Sequence, residues 1–114
     1  MNTYSYLFLG SKLPNLKKNV TMNISGPSEI SVTGEEDVKE LLNKFRTSLT
    51  EGKAQITDFS SSSEGNNTSI SEIEYHFDER INRSHRHVIS HCVIEEFGNP
   101  IERIDVSENA YFVK

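Results

Sequence analysis

The sequence predicts an α+β fold: an antiparallel sheet of about six to seven strands in the order β-β-β-α-β-β-β-β, with one amphipathic helix (residues 35–50) packed on one face. Two observations carry this. Apolar and polar residues alternate through most of the chain, the period of a strand with one buried face. Between 35 and 50 the period lengthens, and Val38, Leu41, Leu42, Phe45 and Leu49 form one helical stripe. A lone stripe has to be buried, and a sheet is the only other layer on offer. With 114 residues, 34% hydrophobic and 25% charged, the chain suits one domain over 1–114 with one core.

The elements follow in order. Tyr4 to Leu9 reads as an aromatic-rich strand closed by Gly10-Ser11, with a loop around Pro14. Val20, Met22 and Ile24 alternate with polar residues, Ser25 to Ser28 interrupts, and Ile30 and Val32 resume, which describes a hairpin with one apolar face. Thr33 with Glu36 fits a capping box for the helix, Glu35 to Asp37 suit its positive end, and Gly52 stops it. Lys53 to Phe59 is a short strand, and Ser60 to Thr68, without an apolar residue, reads as a loop. Ile70 to Asp78 puts Ile73, Tyr75 and Phe77 on one face and Glu72, Glu74, His76 and Asp78 on the other. A turn over 79–84 leads to a long strand from His85 to Phe97. Gly98-Asn99-Pro100 breaks that strand, Ile101 to Val106 returns, and Tyr111-Phe112-Val113 suggests a terminal edge strand.

The long strand carries apolar residues on both faces, and its neighbour decides between them. Pairing Ile94 with Ile104 sets Cys92 against Val106 and Glu95 against Arg103, so the even face points inward. His85, His87 and His91 then face solvent beside His76 and the carboxylates of 72, 74 and 78. Residues two apart on a strand stand about 6.6 Å apart, and cross-strand neighbours about 5 Å. His76, His85 and His87, with Asp78 within reach, therefore form a candidate zinc or iron site, set against the plainer reading of a solvated polar face. The spacing His85-x-His87-x-x-x-His91, followed by Gly98, partly resembles the first metal motif of cupins. Glu79 stands where that motif has a glycine, and no second motif follows, so no cupin role is carried to any residue here.

Function is read largely by exclusion. A net charge of −5 disfavours nucleic acid as a direct partner, and no apolar run nears the roughly 18 residues of a membrane span. A single cysteine, Cys92, agrees with a reducing, cytoplasmic setting. No glycine-rich phosphate loop and no catalytic constellation stand out. The leading expectation is a small acidic cytosolic binding protein, not an enzyme and without a cofactor. It would be an immunity-type inhibitor covering the active site of a basic protein, such as a nuclease toxin or a host-defence component, through Glu64, Glu72, Glu74 and Asp78. One alternative is a metal-binding protein or small metal-dependent enzyme using the histidine face. Another is a self-assembling, phage-type accessory protein, a homodimer through its edge strands.

Overall fold

A computed structural model describes residues 2–65, 67–81 and 83–112, with the side chains at 80, 81, 85, 111 and 112 left aside. Two helices and six strands follow in the order α1 (Thr3–Leu9), β1 (Leu16–Ser25), β2 (Ile30–Thr33), α2 (Glu35–Glu51), β3 (Gln55–Glu64), β4 (Thr68–Ile81), β5 (Ser84–Phe97) and β6 (Ile101–Phe112). The α+β class with a helix on a sheet holds. The strand order and the purely antiparallel sheet do not.

Tyr4 to Leu9 is a helix, not a strand. Asn2 Oδ1 accepts the Ser5 N–H at 2.8 Å, Ser5 Oγ accepts the Asn2 N–H at 3.1 Å, and Gly10 closes the helix in the left-handed region. Such a reciprocal cap at one end and an αL glycine at the other define a short helix. The predicted helix over 35–50 is α2, but Gly34 caps it without a side-chain bond, so the Thr33 box is not formed.

The sheet runs β2-β1-β6-β5-β4-β3. The β1–β2 hairpin pairs Met22 with Val32 and Ile24 with Ile30, along the predicted apolar face. β6 lies in the interior of the sheet, parallel to β1 (Met22↔Ile104, Ile24↔Val106) and antiparallel to β5. Tyr111 and Phe112 thus continue a central strand and not an edge, and Val113 lies outside the described residues. The edges are β2 and β3. The serine run Ser60–Glu64, read from sequence as loop, pairs with β4 as far as Glu64↔Thr68. It is exposed throughout, so it carries no apolar period to reveal it.

Pairs across the strands share a face, and this sets the core. Ile73, Cys92, Ile94, Ile104, Val106 and Met22 are buried on one side of the sheet, and Val38, Leu42 and Leu49 of α2 pack onto them. Each such side chain contributes about 1.5–3 kcal/mol on leaving water. Among the described residues no helix is long and apolar enough to cross a membrane.

Candidate cleft between the helix and the sheet

The helix-covered face of the sheet is not sealed everywhere. Toward the C-terminal half of α2, Leu41, Phe45 and Leu49 stand over Ile24, Tyr75 and Phe77 and leave a cleft of about 390 Å³, with Pro27 and Ile30 of the β1–β2 hairpin at one side. Its walls are mostly apolar. Two polar groups meet on the sheet side, where Tyr75 Oη donates to Glu108 Oε1 at 2.7 Å. Register explains their meeting: Tyr75 sits opposite Ser90, and Glu108 sits opposite Cys92, one pair along on the same face. Burial pushes the Tyr75 phenol well up, and the Glu108 charge pushes it further, so this tyrosine is a fixed hydrogen-bond donor. The Cys92 thiol is raised for the same two reasons in the same order, which makes it an inert core group. Ser90 Oγ is buried and has no hydrogen-bond partner among the described residues.

The hairpin presses on this corner. Gly26 has φ +144, and a Cβ there would collide with the Glu108 carbonyl oxygen. Only glycine lets the turn approach β6 so closely.

A second cavity, of about 560 Å³, opens at the other end of the sheet among Asn2, Asn15, Ser63, Thr68, Asn99 and Glu96. The Glu96 carboxyl is raised by burial, an effect offset in part by its bond from the Thr3 backbone. Its Oε1 accepts the Thr3 N–H at 2.9 Å. That carboxylate is committed to anchoring α1 on β5, so the apolar cleft with its convergent polar pair is the better ligand site.

Comparison with solved structures gives the same arrangement of sheet and helices. A phenazine biosynthesis-related protein from Pseudomonas aeruginosa superposes with a TM-score of 0.59 at 12% identity, over 82% of this chain and 61% of that one. An NTF2-like protein of unknown function from Cytophaga hutchinsonii gives 0.56 at 17% identity, over 82% and 79%. The fold is NTF2-like. The epoxide hydrolase/cyclase-like enzyme SalBIII, of pyran ring formation in the polyether salinomycin, shares it, with a TM-score of 0.59 at 13% identity over 82% of this chain and 71% of that one. No protein-family model matches the chain, and no curated protein matches it in sequence. This chain spans less than two thirds of the Pseudomonas protein's length. The expectation that the protein is not an enzyme is corrected by this likeness: the fold it shares with SalBIII houses an enzyme, and the expectation rested on the lack of a catalytic constellation in the sequence, with a small metal-dependent enzyme only as an alternative.

The residues nominated from sequence lie elsewhere on the NTF2-like sheet. Glu72, Glu74 and Asp78 share the face turned away from the helices, and Glu64 joins them at the far end of the β3–β4 hairpin. From Thr68, opposite Glu64, to Asp78 is about 33 Å of strand, so the four acids form a line and not a patch. His76 and His87 meet on this face, with His76 Nδ1 2.9 Å from His87 Nε2, and His87 Nδ1 donates to Asp78 Oδ1 at 3.3 Å. His85 pairs with Arg80 in the β4–β5 register, and its side chain is outside the described residues. Among the described residues no group of three or more histidine, cysteine or acidic side chains is placed to hold a metal ion.

Sequence reasoning put Tyr75 on the inner face and missed Glu108. The observed pairing is Ile94↔Val106 and Cys92↔Glu108, two residues along from the pairing the sequence favours. A shift of two keeps every side chain on its face but changes which partner it meets. A carboxylate two positions beyond the apolar run of β6, in phase with Ile104 and Val106, was the available signal.

Proposed function

We propose that the protein binds a small, largely apolar molecule in the cleft between α2 and the sheet and performs proton-transfer chemistry on it. The observation that carries this reading is the Tyr75–Glu108 hydrogen bond, 2.7 Å long, on one wall of a mostly apolar cleft of about 390 Å³ that Ser28, Lys44 and Ser48 also border. Clefts of about 300–1,000 Å³ with few convergent polar groups are the usual form of small-molecule sites. Glu108 acts as the base: one carboxylate oxygen is held by the tyrosine, and the other takes a proton from a ligand C–H or O–H and returns it to the product. Tyr75 is the positioning donor. The apolar walls exclude water and orient a ring or chain so that its polar atom faces Glu108. The epoxide hydrolase/cyclase-like neighbour supports this class of chemistry by fold alone.

A panel of small apolar ketones, epoxides and lactones, screened by thermal shift and product analysis, tests the reading. Some members are expected to raise the melting temperature of the parent protein but not of Leu41→Trp, which fills the cleft. Glu108→Gln is expected to keep binding and lose conversion. If no compound stabilises the protein, or if Leu41→Trp responds as the parent does, the proposal fails.

A second reading rests on the line of Glu72, Glu74 and Asp78 on the open face: a basic protein partner docks there, as an inhibitor's target would. Charge reversal at Glu72 and Glu74 would then weaken capture of that partner and flatten its salt dependence.

A further inference from the structure

The sheet face opposite the cleft carries a side-chain arrangement that the proposed ligand chemistry does not use. His76 of β4 and His87 of β5 are diagonal neighbours across one antiparallel pair, since His76 sits opposite Ile89 and His87 opposite Asp78. Their rings lie 5.1 Å apart at 58°, and the nearest nitrogens, His76 Nδ1 and His87 Nε2, are 2.9 Å apart. The other nitrogen of His87 is bound to the Asp78 carboxylate, and both His87 and Asp78 are about half exposed, at 47% and 56%.

The Asp78 carboxylate can only accept, so it assigns a proton to His87 Nδ1, while the proton of His76 can sit on either ring nitrogen. With His87 Nδ1–H donating to Asp78, His87 Nε2 has a lone pair and accepts from His76 Nδ1–H. That single proton lies between two ring nitrogens aimed at one point. If His76 carries its proton on Nε2 instead, both lone pairs converge on that point, open to solvent. Two imidazoles on a tetrahedral ion, each about 2.0–2.1 Å from it, have their nitrogens about 3.3 Å apart. The observed 2.9 Å therefore has to open by a few tenths of an ångström, within reach of small ring rotations on an exposed face. Asp78 completes the pattern of a metal-ligating histidine, whose second ring N–H is held by a carboxylate that fixes the tautomer and raises ligand basicity.

We propose that His76 and His87 form a surface binding site for a first-row transition-metal dication of the zinc, nickel or copper class, with Asp78 orienting His87 and water filling the remaining positions. Imidazole ligands select these ions over magnesium and calcium, which prefer oxygen. Two protein ligands and an accessible face make the site an exchangeable one. His91 does not belong to it: it sits opposite Glu74, four residues along β5 from His87 and about 13 Å away on a flat strand.

The test is titration of tag-free protein with zinc and with magnesium in a non-coordinating buffer, followed by calorimetry and by NMR of the histidine rings. Zinc is expected to bind one ion per chain and to move the His76 and His87 ring signals together, whereas magnesium gives no response. His76→Ala and His87→Ala are each expected to weaken zinc by about tenfold or more, and Asp78→Asn by about tenfold, while His91→Ala leaves it unchanged. All four side chains lie on the solvent face, and the unchanged far-ultraviolet dichroism of each variant would confirm that it folds. An absence of zinc binding up to about 100 μM, or an affinity indifferent to His76→Ala and His87→Ala, overturns the site. An unaltered affinity in Asp78→Asn overturns the orienting role.

Discussion

Glu96 is a carboxylate held where burial works against its charge. Its proton is bound more tightly in the folded protein than at its ordinary value of 4.5, because desolvation outweighs the bond from the Thr3 N–H. The sign follows from linkage: a folded-state value above the unfolded one gives stability that is complete below pH 4.5 and is lost as the pH rises through the folded value. Glu96→Gln removes the titration while keeping a carbonyl oxygen to accept the Thr3 N–H. The variant is therefore expected to melt higher than the parent at pH 7, with the difference shrinking as the pH falls toward 4.5. Parallel melting curves for the two proteins across that range would show that Glu96 is not the group responsible. Tyr75 and Glu108 show the other use of a buried polar pair. Tyr75→Phe leaves the Glu108 carboxylate without its donor, a loss of about 1.5–3 kcal/mol for a hydrogen bond to a charged group, readable as a lower urea midpoint.

At the scale of elements, α2 is what joins the cleft to the core. Leu42 is fully buried against the sheet, whereas Leu41 and Phe45 on the same helix are only partly buried and form the cleft wall. Leu42→Ala is expected to cost about 2–5 kcal/mol of stability without altering the cleft lining. Leu41→Ala, at a half-buried position, is expected to cost less and to enlarge the cleft, and urea unfolding of the pair separates the two roles. This helix was legible because its five apolar residues keep the 3.6 period for about three turns. α1 was not, because the five Tyr, Leu and Phe residues of Tyr4–Leu9 satisfy strand and helix patterns alike. Its deciding signals were polar or turn residues and not part of the apolar pattern: Asn2 and Ser5 at the start and Gly10 at the end. β3 was half lost for the opposite reason: from Ser60 its neighbours are solvent and the β4 backbone, so only backbone bonds define it, and these leave no trace in side-chain type. On β4 the alternation was unbroken, and it placed Tyr75 inward and His76 outward correctly, so both sites described here rest partly on a strand that could be read directly.

For the whole molecule, the consequence least visible in the sequence is the position of β6. Taken alone, β1 with β2 makes one hairpin, and β3, β4 and β5 make one antiparallel meander. Local pairing builds both, and neither touches the other in the sheet order. β6 joins them, antiparallel to β5 on one side and parallel to β1 on the other, where Met22 faces Ile104 and Ile24 faces Val106. About eighty residues separate those partners, so the contact is among the last that chain entropy favours and the one that closes the core. Ile104 and Val106 are both buried, and α2 has no continuous sheet to cover without them. A chain ending at residue 100 is therefore expected to show no cooperative urea transition, retaining fluctuating hairpin structure with exposed apolar surface. Ser61→Asp, on the exposed half of β3, is expected to change stability by less than about 0.5 kcal/mol. Amide exchange on the intact protein should give the same ranking residue by residue, with the slowest exchange in the β1–β6–β5 centre and the fastest in Ser60–Glu64. Cooperative unfolding of the shortened chain would mean that the meander and α2 form a stable unit by themselves. The cleft, which takes Ile24 from one half of the sheet and Tyr75 from the other, would then have to be assembled after folding and not by it.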